Sequence, residues 1–194
     1  MNTNMADSLV VELYCKENGR ALSPHLVRSL IAIQRGWRSD RNNADAQQGF
    51  LATEFTEDEV QSLYQSGGNF FLLCNPETIL GFALTTSIDK FTEQFESAAC
   101  GQLKTSSPLL LAEFNYLYQV AILKGEHQRG LGRRLVKQAQ KHHIKSLLAD
   151  VLVSPVPNLG SSLFFARLGF RKVGTLELDN YRDYGPLVSE VLIG

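Results

Sequence analysis

Cysteine is scarce in this chain: Cys15, Cys74 and Cys100 are odd in number, far apart, and form no CxxC pair. No His/Cys cluster with zinc spacing surrounds them. A disulfide framework and a structural zinc site are therefore excluded, and reduced thiols in a cytosolic protein are expected. Charge of one sign is also lacking. Nineteen Lys and Arg balance twenty Asp and Glu, for a formal net charge of −1, which argues against a protein that coats nucleic acid. No apolar run approaches the roughly 20 residues needed to cross a bilayer. Residues 1–13 carry no basic segment leading into a long apolar stretch, so no signal peptide is expected. Internal repeats, low-complexity tracts and linkers are absent. The expectation is one domain over residues 1–194, cytoplasmic, with no nucleic-acid or membrane partner and enough chain to build its own core.

The elements that are present alternate. Ser8–Cys15 reads as a first strand closed by Asn18-Gly19, and Leu22–Trp37 as a helix started by Ser23-Pro24. Arg38–Gln48 is polar and loop-like, Gly49–Leu51 a short extended piece, and Thr56-Glu57-Asp58-Glu59 a capping segment for a helix to Tyr64. Asn69–Cys74 and Ile79–Thr86 form a hairpin around Asn75-Pro76-Glu77-Thr78. The stretch 88–107 has the weakest pattern and room for a short helix. Phe114–Leu123 is a strand, Gly130–His143 a helix burying Leu131, Leu135, Val136 and Ala139, and Leu147–Val153 a strand buried on both faces. Asn158 caps a helix that stops at Gly169, and Arg171–Leu178 and Leu187–Ile193 are closing strands. This order predicts a mixed α/β fold with helices on both faces of a sheet.

Residues 120–132, Val-Ala-Ile-Leu-Lys-Gly-Glu-His-Gln-Arg-Gly-Leu-Gly, run from an apolar strand into a basic, glycine-bearing turn and a helix. Amides at a helix N-terminus lack intrahelical partners, and the helix dipole adds positive potential there, so the turn suits an anion such as phosphate. Gly130 and Gly132 allow close backbone approach. Seven Lys and Arg against one acid, Glu126, lie between Lys124 and Lys145. A Walker loop would end Gly-Lys-Ser/Thr, but Gly132 is followed by Arg133-Arg134. A dinucleotide fingerprint would need a small residue where Leu135 stands.

The run from Ile122 to Leu135 resembles the acetyl-CoA motif of the GNAT superfamily of N-acyltransferases, Q/R-x-x-G-x-G/A. His127-Gln128-Arg129-Gly130-Leu131-Gly132 occupies it, with His127 where Gln or Arg is usual. Downstream, Asn158-Leu-Gly-Ser-Ser-Leu-Phe-Phe165-Ala-Arg-Leu-Gly169-Phe170 resembles the family's N-x-x-A-x-x-x-Y-x-x-x-G-F. Asn158, Gly169 and Phe170 match, Ser161 replaces Ala, and Phe165 stands where Tyr is common. The resemblance covers Gly68–Phe170, and residues 1–67 only in order of elements. It implies a mostly antiparallel sheet splayed between its fourth and fifth strands. It also implies acetyl-CoA as cosubstrate, held by Ile122, Leu123, His127, Gln128, Arg129, Gly130, Leu131, Gly132, Arg133, Asn158 and Phe165.

The implied reaction is direct attack of an amine on the acetyl thioester, without a covalent enzyme intermediate. An alkylamine with a pKa near ~10.4 needs a base or a desolvating site. Glu113, near the start of the Phe114 strand, is a candidate base, or else a solvated strand-edge carboxylate. Tyr116 and Tyr118 share a face and either line the acceptor pocket or fill the core; Tyr118 is the second catalytic candidate. Phe165 has no proton to give a leaving thiolate, which water, Tyr181 or Tyr184 would then supply. The adjacent His142-His143 point apart on a helix and imply no metal. The acceptor is a small-molecule amine or a protein or peptide amine, and homodimers are common among relatives. The alternative is a non-catalytic acyl-CoA sensor or scaffold on the same fold.

Overall fold

The computed structural model describes residues 9–38, 47–96, 101–126, 129–181 and 185–194. In chain order the elements are β1 (Val10–Tyr14), α1 (Pro24–Trp37), α2 (Glu57–Gln65), β2 (Asn69–Cys74), β3 (Ile79–Ser87), α3 (Asp89–Glu96), β4 (Gln102–Thr105), β5 (Phe114–Ile122), α4 (Leu131–His142), β6 (Ser146–Ser154), α5 (Leu159–Arg167), β7 (Arg171–Tyr181) and β8 (Gly185–Ile193). They fall into two compact units. One holds the described residues through Gly36, Glu54–Thr85 and Gln119–His142; the other holds Trp37–Thr53, Thr86–Tyr118 and His143–Gly194. The fold class is mixed α/β, as the alternation predicts.

In the first unit the neighbour order is β1-β2-β3-β5, with β1, β2 and β3 antiparallel. The hairpin turn is closed by the Asn75 side chain, whose Oδ1 accepts the amides of Glu77 (2.9 Å) and Thr78 (2.7 Å). At α2 the Thr56 hydroxyl accepts from the Glu59 amide at 3.2 Å, while the Glu59 carboxylate accepts from the Thr56 amide at 2.7 Å. This reciprocal box satisfies two donors the helix cannot. The four apolar residues expected on α4 are all buried. Gly81 brings β3 hard against β5: a β-carbon there would lie 2.5 Å from Ile122 Cδ1 and 2.7 Å from the Ala121 carbonyl oxygen. Gly81→Ala is therefore expected to cost about 1–3 kcal/mol, read as a lower thermal midpoint.

In the second unit the order is β5-β6-β8-β7-β4, with β5 and β6 parallel and the other neighbours antiparallel. Its core gathers Phe50, Phe91, Phe114, Tyr116, Leu148, Leu152, Leu176, Leu178, Leu187 and Val191. Leu147 and Leu148 are fully buried on opposite faces of β6, as expected of a strand covered on both sides. The β5–β6 ladder pairs only Phe114–Tyr116 with Ser146–Leu148, although both strands run on. The stretch 88–107 departs from expectation, because besides α3 it contains the strand β4, paired with β7 through Gln102↔Glu177 to Thr105↔Gly174. As an edge strand it is half solvated and polar, so no apolar alternation marks it. Glu113 lies near the start of β5 as expected, at the end of a one-turn 3-10 helix, Leu111–Glu113.

Candidate functional site

The anion turn belongs to the first unit. β5 ends where the Leu123 amide donates to the Leu80 carbonyl at 2.7 Å, and the chain turns through Glu126 N to Leu123 O at 2.9 Å. Gly125 (φ +100°) and Gly130 (φ +75°) take left-handed backbone. The Arg134 amide then bonds the Gly130 carbonyl at 3.1 Å, the first step of α4. The amides of Leu131, Gly132 and Arg133 consequently have no intrahelical acceptor. The first turn of α4 carries no acidic residue, so nothing there opposes an anion. Gly130 is exposed, with open space where a β-carbon would stand.

The side chains around the turn are less uniform than the sequence suggests. Arg129 is exposed and ion-paired with Glu126 three residues before it. Arg133 is exposed, whereas Arg134 donates to the Leu9 carbonyl at 2.5 Å and so ties α4 to the start of β1. Ile122 and Leu123 are half-buried. His127 and Gln128 lie outside the described residues.

The second unit holds the other expected residues. Asn158 is buried and bonded at both ends of its side chain. Its Oδ1 accepts the Ser161 amide at 3.1 Å, capping α5, and its Nδ2 donates to the Phe50 carbonyl at 2.8 Å. The expected cap is thus also a clamp on the segment ahead of it. Gly160 completes the junction, since a β-carbon there would lie 2.5 Å from the Gly49 amide nitrogen. Phe165 is buried, with ring centroids 5.0 Å from Phe170 and 5.1 Å from Phe164.

Glu113 is exposed to solvent. Tyr118 is half-buried and stacks on Tyr116 at 5.2 Å between centroids. Tyr116 itself is a core residue, in contact with Phe91 at 5.3 Å, and its hydroxyl donates to Asp150 Oδ1 at 2.6 Å. The Tyr181 and Thr53 hydroxyls share a hydrogen bond of 2.7 Å. Tyr184 lies outside the described residues. Asp150 is the residue that sequence reasoning missed. It retains partial surface exposure while its carboxyl is densely surrounded. Burial pushes that carboxyl above the ordinary carboxylate range, against the opposing effect of hydrogen bonds from the Tyr116 and Ser189 hydroxyls. An acid in the middle of the apolar run Leu147–Val153 was the available signal.

Other chemistries find less support. Burial pushes the Cys15 and Cys74 thiols up, the opposite of an activated nucleophile. Among the described residues no group of three His, Cys, Asp or Glu is placed to hold a metal ion. His142 instead meets the edge of the Phe71 ring at 5.5 Å. No described helix is long and apolar enough to cross a membrane.

The acetyltransferase (GNAT) family model matches residues 34–170, and the chain belongs to that family. The fold is shared with the ribosomal-protein-S18-alanine N-acetyltransferase of Escherichia coli at 15% identity and TM-score 0.58, covering 95% of this chain and 92% of that one. Arabidopsis thaliana NAA60 in complex with a bisubstrate analogue aligns at 11% identity and TM-score 0.60, covering 95% and 97%. An N-acetyltransferase from Staphylococcus aureus Mu50 aligns at 15% and 0.56, covering 94% and 97%. No protein of curated function matches the sequence significantly. Family and fold together support acyltransferase activity.

Proposed function

We propose that this protein is an N-acetyltransferase that moves an acetyl group from acetyl-CoA to a primary amine by direct attack. The observation that carries this reading is the row of Leu131, Gly132 and Arg133 amides opening α4, whose first turn carries no acidic residue. Such amides suit a pyrophosphate, and Arg129 and Arg133 supply guanidinium groups matched to phosphate oxygens. Ile122 and Leu123 would lie along the pantetheine arm, and His127 and Gln128 are part of the same sequence motif. Asn158 acts by fixing the start of α5, and Phe165 offers a ring rather than a hydroxyl. Glu113 is the solvent-side candidate for receiving the amine's proton, and Tyr118 lines the acceptor. A peptide or protein amine is the favoured acceptor class. Its support is that the E. coli neighbour is a ribosomal-protein-S18-alanine N-acetyltransferase and that NAA60 is held in complex with a bisubstrate analogue.

Calorimetric titration with acetyl-CoA, followed by thiol release across a panel of peptide N-terminal amines and small alkylamines, tests this reading. Saturable binding and thiol release with at least one amine are expected. Absence of binding at sub-millimolar coenzyme overturns it. Binding without thiol release from any amine favours a sensor or scaffold, the reading that the missing hydroxyl at Phe165 keeps in view. Arg129→Glu adds a carboxylate next to Glu126 and is expected to weaken acetyl-CoA binding by about tenfold or more through like-charge repulsion. Unchanged affinity would remove Arg129 from the phosphate site.

A further inference from the structure

One face of the second unit's sheet carries a polar array inside an apolar layer. Along β5 the face holds Phe114, Tyr116 and Tyr118; along β6 it holds Leu148, Asp150 and Leu152; along β8 it holds Leu187, Ser189 and Val191. The registers Tyr116↔Leu148, Asp150↔Val191 and Leu152↔Ser189 set these side by side. Asp150 accepts from Tyr116 at 2.6 Å and from Ser189, which is itself buried. The β5–β6 ladder stops at Tyr116↔Leu148. Asp150 and Tyr118 each lie two residues beyond that last pair, where neither strand's backbone bonds the other.

A carboxylate held in an apolar layer is costly unless a positive group meets it. The groups acting on Asp150 are two hydroxyls and its own backbone, none of which carries charge. From the surrounding elements, β5 presents the phenols of Tyr116 and Tyr118, α3 the Phe91 ring, and β7 Leu176, Leu178 and the Tyr181 phenol. The Asp150 carboxyl is thus built and oriented within a residue that keeps partial exposure, with no cation among those partners. The chemical class that complements it is a primary ammonium.

We propose that Asp150 receives the ammonium group of the acceptor and takes its proton, while Tyr116 and Ser189 hold the carboxylate in place as positioning residues. This rests on the reading of the protein as an N-acetyltransferase. The ammonium gives one proton to Asp150, leaving a neutral amine and a carboxylic acid. The amine lone pair forms the C–N bond at the thioester carbonyl, and the C–S bond breaks with its electron pair on sulfur. The proton shed by the new amide nitrogen neutralises the thiolate, and Asp150 returns its own proton to solvent.

Three measurements on the full chain test this. The first compares binding of a peptide with a free N-terminal amine, and of its N-acetylated form, to the wild type and to Asp150→Asn. The free amine is expected to bind the wild type better, and Asp150→Asn is expected to erase that difference. The second is turnover. Asp150→Asn is expected to lower kcat/KM by about 10²–10⁴-fold with acetyl-CoA affinity retained and a melting temperature no lower than wild type. The third is the pH–rate profile of Tyr116→Phe. Loss of the donated hydrogen bond raises the carboxyl further, so the acidic limb is expected to move to higher pH, which a purely structural tyrosine would not cause. Wild-type turnover in Asp150→Asn, or an acidic limb that persists there and vanishes in Glu113→Gln, overturns the proposal and leaves acetyl transfer standing. A wild type that neither binds acetyl-CoA nor releases thiol overturns both.

Discussion

Asn158→Ala is expected to destabilise the protein by about 2–4 kcal/mol, because one side chain does two jobs there. Its Oδ1 caps α5 through the Ser161 amide, and loss of such a cap costs about 0.5–2 kcal/mol. Its Nδ2 also donates to the Phe50 carbonyl. Removing a donor from a buried acceptor costs about 1–3 kcal/mol, since water cannot replace it freely. Urea unfolding with an unchanged slope measures the sum. Asn158→Ser separates the parts: its hydroxyl still caps the Ser161 amide and is too short to replace the donor to Phe50. The serine variant is expected to fall between wild type and alanine. If alanine costs no more than an ordinary cap, the Phe50 bond contributes nothing.

Gly130→Val is expected to have the largest effect on coenzyme binding. Gly130 sits at φ +75°, a conformation that costs an L-residue roughly 1–2 kcal/mol and a β-branched residue more. Space is not the obstacle, since nothing lies within 4 Å of a β-carbon there. The strain is in the backbone, and it is relieved only by turning the peptide that leads into Leu131, Gly132 and Arg133. Their amides then lose their common aim, and acetyl-CoA affinity is expected to drop by more than tenfold. Gly130→Asn tolerates the left-handed region and is expected to keep most of the stability. Calorimetry and thermal melts on the pair separate backbone aim from general unfolding. Equal coenzyme affinity in Gly130→Val and wild type would remove the amide row from the phosphate site.

Much of this fold was legible because its signals are local. The capping box at Thr56, the hairpin at Asn75, the four buried positions of α4 and the cap at Asn158 are each written within a few residues, and all appear as read. The strand β4 was not legible, because a four-residue polar edge strand has meaning only beside β7. The site divides in the same way. The anion turn is a contiguous motif, whereas Asp150 gains its significance from Tyr116, 34 positions earlier in the chain, and from Ser189 on β8. The sequence leaves Tyr116 between lining an acceptor pocket and filling the core; its ring lies in the core and its hydroxyl bonds an acid. That pairing follows from the parallel register of β5 on β6, which no local pattern encodes.

The raised carboxyl of Asp150 has a consequence for how this sequence can drift. A group whose folded pKa lies above its unfolded value, about 3.9 for aspartate, contributes its full stability only below the unfolded value. That contribution disappears as pH rises through the folded one. The fold therefore loses stability as this group ionises, and an amide in its place would rest there more comfortably. Selection for stability alone would erode this position, so a carboxylate at residue 150 persists in a lineage only while something other than folding rewards it.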